Sequence, residues 1–189
     1  MATRFRSNLA SGILAPDSIQ TDRLELRKPD ASHVPLLFRD FTSDPDVIRF
    51  LPFPVHKDIS ETSALVENWH SRFEGGVSFP YVIVLREDAT PIGVIELHPQ
   101  GHQIAFECNI AKRAQKRGFA SEACSAIVTW ALRQPAIWRV ECLCIPGNLG
   151  AARGLQNAGM ELEGTARRCV VFPNLDEEPK DCLVFSKTR

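Results

Sequence analysis

Gln115, Lys116, Arg117, Gly118, Phe119 and Ala120 fit the pattern Q/R-x-x-G-x-G/A, directly after an apolar strand-like run and at the opening of a helix-like one. The chemistry such a segment offers is anion binding. The first N–H groups of a helix lack intrahelical acceptors and converge on one spot, where the helix dipole adds partial positive charge. Gly118 leaves no Cβ between a phosphate and the backbone. Lys112, Arg113, Lys116 and Arg117 add charge suited to a polyphosphate. Taken alone, a basic surface loop is the competing reading.

Two carboxylates interrupt otherwise apolar runs: Glu107 within residues 104–110, and Glu96 within residues 92–97. A carboxylate so placed can take a proton from an amine, directly or through water. Its alternative is a strand carboxylate that faces solvent or pairs with an arginine. Cys144 is a candidate proton donor, with a buried structural thiol as the alternative reading. Tyr81, the only tyrosine, reads as core. His33, His56, His70, His98 and His102 fall in or beside loops and helix faces, with no pair at metal spacing, so no metal is expected. Of these, His98 lies nearest in sequence to Glu96.

The elements that must hold these residues follow from periodicity. Residues 24–28 alternate apolar and charged side chains and predict a first strand. Asp30 or Ser32 caps a helix with Val34, Leu37, Phe38 and Phe41 on its apolar face. Pro45 suits the first position of a short following helix, and residues 51–54, with two prolines, must be extended. Leu65, Val66, Trp69 and Phe73 set a helix over residues 59–74, stopped by Gly75 and Gly76. Apolar runs at 81–85, 92–97 and 104–110, separated by turn residues at 88–91 and 99–101, predict an antiparallel meander. A long helix over 119–133 and a strand over 140–145 then imply a parallel pair with a right-handed crossover. Asn148 caps a shorter helix that ends near Ala158, with Gly159 as terminator, and strands near 160–168 and 182–186 finish the sheet. The fold class is α+β, a mixed and mostly antiparallel sheet with helices on both faces.

At 189 residues the chain suits one domain, assigned to 18–189 after a disordered extension over 1–17. Apolar residues at 44% and charged residues at 24% are those of an ordinary globular protein. A net charge of −1 argues against nucleic-acid binding by bulk electrostatics. No run approaches membrane-spanning length and no apolar signal core follows the start, so the expected location is cytoplasmic. Cys108, Cys124, Cys142, Cys144, Cys169 and Cys182 contain no C-x-x-C pair and read as reduced, mostly buried thiols.

The 115–120 loop resembles the acetyl-CoA pyrophosphate site of the GNAT acetyltransferase superfamily. Thr21, Arg23, Leu24, Leu26 and Arg27 match the T-x-R-L-x-L-R opening of its ribosomal-protein N-acetyltransferase (RimJ/RimL-like) branch. Asp44, Pro45, Asp46 and Val47, then Leu51 and Pro52, resemble that branch's next stretch, and residues 92–95 its central strand. Asn148 with residues 155–160 is similar to its N-x-x-S…L-x-x-x-G-F segment. The resemblance runs from Thr21 to Ser186.

The resemblance implies an acetyl-CoA-dependent N-acetyltransferase, with acetyl-CoA as cosubstrate. It implies that the strand before the loop splays from the strand after the helix. Pantetheine would then bind backbone at Asn109, Ile110 and Ala111, the pyrophosphate residues 115–121 (Gln115 through Ser121), and the CoA arm Asn148 and Ala151. It also favours Glu107 over Glu96 as general base, since the family often places its acid on that strand. Three departures stand out. Ala151 replaces a common serine, Met160 a phenylalanine, and Lys116 the first loop glycine, so that this turn is expected to avoid positive φ. The acceptor is a primary amine, on a protein N-terminus or a small molecule, in a site shaped by residues 44–66 and 173–180, where Asp176, Glu177 and Glu178 could favour a cation. A non-catalytic CoA-binding module is the alternative; the partners expected are acetyl-CoA and the amine, with no nucleic acid or membrane, in a monomer or homodimer.

Overall fold

The computed structural model describes residues 13–189. In chain order it contains β1 (Ser18–Gln20), β2 (Leu24–Arg27), α1 (Val34–Leu37), α2 (Pro45–Ile48), α3 (Ile59–Glu74), β3 (Phe79–Leu85), β4 (Pro91–Gln100), β5 (Gln103–Ile110), α4 (Phe119–Arg133), β6 (Arg139–Cys144), α5 (Leu149–Asn157), β7 (Glu161–Val170) and β8 (Lys180–Thr188). The strands form one sheet in the order β1-β2-β3-β4-β5-β6-β8-β7. The β5–β6 pair is parallel and the others are antiparallel.

Strand alternation sends two sets of side chains to opposite faces. Tyr81, Ile83, Ile95 and Leu97 pack with Ala123 and Ile127 of α4 and Leu155 of α5. Val82, Val84 and Val94 pack on the other face with Leu37, Phe41, Val66 and Trp69 from the α1–α3 region. Full burial of one such aliphatic side chain is worth about 1.5–3 kcal/mol, so each face anchors its own helical layer.

The helix ends follow local signals. Asp58 accepts from Ser60 N–H (2.8 Å) and Glu61 reaches back to Asp58 N–H (3.2 Å), a capping box that starts α3 at Ile59. Asp44 caps α2 and Pro45 stands at its first position. The N-terminal side differs from expectation in two respects. A short strand, β1, precedes the anticipated one, and Ser18–Gln20 pairs with Glu25–Arg27. Within residues 13–17, assigned to the extension, two points touch the core: Ile13 is buried and Tyr81 Oη donates to Pro16 O at 2.7 Å. The remainder of that extension lies outside the described residues. The expected turn at residues 99–101 also moves, because β4 continues through Gln100 and pairs it with Gln103.

Two pairings set up the site. Gly93 of β4 lies so close to β5 that a Cβ there would be 2.3 Å from Asn109 O, which only glycine permits. The parallel β5–β6 pairing covers Gln103–Phe106 against Arg139–Cys142. Past it, β5 stays with β4 as far as Ile110 while Leu143 and Cys144 stay with β8, so the two strands part.

Candidate active site

The anion-binding end of α4 is built as the sequence suggests. Gly118 is its N-cap at φ +82°, a left-handed conformation costly for other L-residues, and Phe119, Ala120 and Ser121 form the first turn. Glu122 N–H closes the first intrahelical bond to Gly118 O at 3.1 Å. Lys116 takes φ +61°, so the expectation that this turn avoids positive φ is wrong. The corner keeps the glycine-type path and the lysine absorbs the strain. Two of the four loop cations are also committed elsewhere. Lys112 pairs with Asp46 (2.7 Å), while Arg113 pairs with Asp40 (3.0 Å) and donates to Pro91 O (2.7 Å). Lys116 and Arg117 are the cations left at the helix mouth, with Arg117 stacked 4.8 Å from the Phe119 ring centroid. Gln115 turns inward and Nε2 donates to Ile110 O at 3.0 Å.

The Thr21–Arg27 motif braces this corner. Thr21 Oγ1 (2.5 Å), Arg23 N–H (2.9 Å) and Arg23 Nε (2.7 Å) all donate to the carboxylate of Glu122 in the first turn of α4. Arg23 Nη1 also donates to Arg117 O at 3.1 Å, and its guanidinium stacks 4.6 Å from the Phe119 centroid. Partial burial pushes the Glu122 carboxyl up, but the Thr21 hydroxyl and the Arg23 N–H and guanidinium outweigh it and hold it below its ordinary value.

The parting of β5 and β6 exposes strand edge. Strand backbone alternates its hydrogen-bonding direction, residue by residue. Ala111 N–H donates to Ile92 O (2.7 Å) and Asn109 O faces Gly93, so both face β4. Cys108 and Ile110 therefore turn their backbone groups toward the gap, and Ile110 O already accepts from Gln115. Of Asn109, Ile110 and Ala111, Ile110 is the one whose backbone N–H turns toward the gap, and Cys108 joins it. Asn148 caps α5 by accepting from Ala151 N–H at 3.1 Å.

On the α3 side of the sheet, Glu96 and Glu107 are direct cross-strand partners. Arg72 of α3 pairs with Glu96 at 2.5 Å and Ser78 Oγ donates to it at 2.6 Å. Glu107 meets His98 Nε2 at 3.5 Å. Side-chain exposure is 8% for Glu96 and 41% for Glu107, so solvent and an acceptor reach only the second readily. Glu96, His98 and Glu107 bring their ligand atoms within 4.8 Å of one another, a grouping that histidine spacing in the sequence does not reveal. The Arg72 guanidinium already lies on the Glu96 carboxylate, and a cation there would be repelled.

Cys144 does not join this group. Its thiol contacts Ile145 O (3.5 Å) and Asn148 O (3.7 Å) in the core on the α4 face, and burial pushes it up. Its contacts are those of a structural thiol, and the raised value keeps it protonated. Tyr81 is fully buried and bonded to Pro16, and burial raises it far above the ordinary phenol value.

A cleft of about 140 Å³ opens beside Glu107. Its apolar wall is Phe41, Leu51, Phe53, Leu65 and Trp69, and its polar side is Arg72, Glu96, Glu107 and Asn109. Arg72 and Trp69 were not foreseen as site residues, although a charge that continues the Leu65–Trp69 stripe of α3 is the signal that marks them. The wall is fixed from a distance: Asn174 Nδ2 donates to Ile48 O (2.9 Å), Leu51 O (3.0 Å) and Phe53 O (2.7 Å). Phe172 packs edge-on against Phe50 at 5.9 Å beside it. Two acids of the run in the same loop are paired, Asp176 with Lys180 (2.5 Å) and Glu178 with Arg168 of β7 (3.8 Å).

Comparison with known proteins agrees with this fold. The sequence profile of the acetyltransferase (GNAT) domain matches residues 23–161. The chain is 25% identical over 154 residues to the "uncharacterized N-acetyltransferase YnaD" of Bacillus subtilis (strain 168), covering 80% of this chain and 87% of that protein. It superposes on the microcin C7 self-immunity acetyltransferase MccE in complex with acetyl-CoA and AMP with a TM-score of 0.81 at 17% identity, over 93% of this chain and 98% of that one. It superposes on RimL, a ribosomal L7/L12 α-N-protein acetyltransferase in complex with coenzyme A, with a TM-score of 0.77 at 20% identity, over 90% and 97%. Among the described residues, no helix is long and apolar enough to cross a membrane.

Proposed function

Because the chain belongs to the GNAT acetyltransferase family, we propose that it moves an acetyl group from acetyl-CoA directly to a primary amine. The observation that supports this is that β5 carries the exposed Glu107 carboxylate, parts from β6 beyond Phe106, and leads into the loop that ends at the Gly118 corner of α4. Acetyl-CoA supplies an activated thioester whose sulfur is a good leaving group. The first-turn N–H groups of α4, with Lys116 and Arg117, bind and orient the pyrophosphate. Backbone groups of Cys108 and Ile110 hold the pantetheine arm in the gap.

Glu107 takes one proton from the acceptor ammonium, directly or through a water, with His98 beside it. The free amine then forms the N–C bond as the C–S bond breaks, and solvent protonates the thiolate. In sum, one ammonium and one thioester give one amide, one thiol and one proton. Glu96 keeps Arg72 in place at the cleft and is not the base, because its carboxylate is already bound on two sides.

The test is incubation with acetyl-CoA and a panel of primary amines while following free thiol and the acetylated product by mass. Thiol release that depends on the amine is expected. Acetyl-CoA binding with no thiol release across the panel would instead make the chain a CoA-binding module without turnover.

A further inference from the structure

We propose that the acceptor is a monocationic amine carrying an apolar, preferably aromatic, group next to its amino carbon. This rests on the acetyl-transfer reading above and assigns the substrate class of the same cleft. Two properties of the cleft point to it, one of charge and one of surface.

The charge property is a shortage of carboxylate. Glu107 is the single cleft carboxylate without an arginine or lysine on it, since Glu96 is held by Arg72 at 2.5 Å and by Ser78 at 2.6 Å. The nearby acids that might have enlarged the negative field are matched as well: Asp46 by Lys112, Asp40 by Arg113, and Asp176 by Lys180. One ammonium is therefore matched at Glu107. A second cationic group on the same acceptor would meet the Arg72 guanidinium or an apolar wall, and both disfavour it. Polyamines and aminoglycosides are excluded on this ground.

The surface property is the wall itself. Phe41, Leu51, Phe53, Leu65 and Trp69 line the same cleft as Glu107, with Phe53 and Leu65 the more exposed of them. The wall is held rigid, with Phe53 also stacked against His56 at 5.2 Å and its carbonyl bonded to Asn174. A preformed apolar wall with a few fixed polar groups gains from an apolar group on the ligand and gains nothing from a bare amine. The shared chemistry, an α-amine beside an apolar side chain, exists both in free amino-acid derivatives and at a peptide N-terminus.

The experiment compares kcat/KM for phenylalaninamide, the peptide amide Phe-Ala-Ala, glycinamide and spermidine at saturating acetyl-CoA. Phenylalaninamide or the peptide is expected to exceed glycinamide and spermidine by about tenfold or more; which of the two leads tells the free amine from the chain terminus. Phe53→Ala is expected to shrink the phenylalaninamide-to-glycinamide ratio at least several-fold through acceptor KM, with acetyl-CoA KM unmoved. Trp69→Ala should do the same, and the half-exposed position of Phe53 keeps the test open if the buried Trp69 variant does not fold. Glycinamide or spermidine turned over as well as phenylalaninamide would overturn the acceptor class while leaving acetyl transfer intact. No thiol release with any amine would overturn both.

Discussion

Glu96 and Glu107 stand opposite each other in neighbouring strands, yet one is bound by an arginine and the other is open to the cleft. Like charges directly across a sheet repel. Here Arg72, brought in by α3, pairs with one of them and leaves the other exposed to the cleft.

Glu107→Gln should therefore lower kcat by about 10²–10³ while acetyl-CoA affinity stays the same. Glu96→Gln should do the reverse, costing about 1–3 kcal/mol of stability because Arg72 loses its ionic partner, with a smaller effect on rate. Steady-state kinetics, acetyl-CoA titration and denaturant melts on both variants separate the two roles. Equal rate losses would mean that both carboxylates act in proton transfer.

Arg23 lies between the Glu122 carboxylate and the pyrophosphate corner. Arg23→Ala should weaken CoA binding about tenfold, because it frees a negative charge in the first turn of α4 beside the phosphate. Glu122→Gln added to Arg23→Ala should recover part of that loss. Calorimetric affinities for the four-member cycle give the answer, and a double variant worse than Arg23→Ala would show that the pair acts only as a scaffold.

Gly118→Val should abolish CoA binding, since the side chain would both enter the phosphate approach and occupy φ +82°. Lys116→Gly should separate strain from charge. Relief of the left-handed lysine offsets the added chain entropy, so stability should hold or rise by up to about 1 kcal/mol. CoA affinity should fall and become less sensitive to salt. A calorimetric melt and a salt series check both halves.

Burial holds His56 below the ordinary imidazole value of 6.5, with Glu61 opposing, while its Nδ1 meets Thr62 Oγ1 at 2.9 Å. His33 is lowered by burial too, partly offset by Asp30. In both cases the unfolded chain takes the proton first. Their contribution to stability is full above pH 6.5 and is lost as pH falls toward and through the lower folded values. Urea midpoints measured from pH 7.5 to 5 should fall, and the fall should be shallower in His56→Gln. An unchanged slope in that variant would exclude His56 as a source.

Local signals made much of this legible in the sequence. The period of Leu65, Val66, Trp69 and Phe73 with the Gly75–Gly76 stop placed α3, and the Gly118 corner placed the start of α4 at Phe119. Contacts between distant segments were not legible. The His98–Glu107 contact depends on cross-strand register, and the Arg72–Glu96 pair on how α3 lies over β4, neither of which a period reveals. The basic loop looked richer in free charge than it is, because the partners of Lys112 and Arg113 come from residues more than sixty positions earlier. Lys116 shows the converse: the backbone path outlived the residue type suited to it.

The Asn174 amide reaches three carbonyls of the acceptor wall from beyond residue 161, where the family profile ends. The Gly118 corner and its Arg23 brace lie inside the matched stretch, whereas this anchor of the cleft wall lies outside it. The cleft wall thus depends on a side chain that the family match does not include. A change at position 174 would reshape what the cleft accepts without altering any residue that marks the lineage.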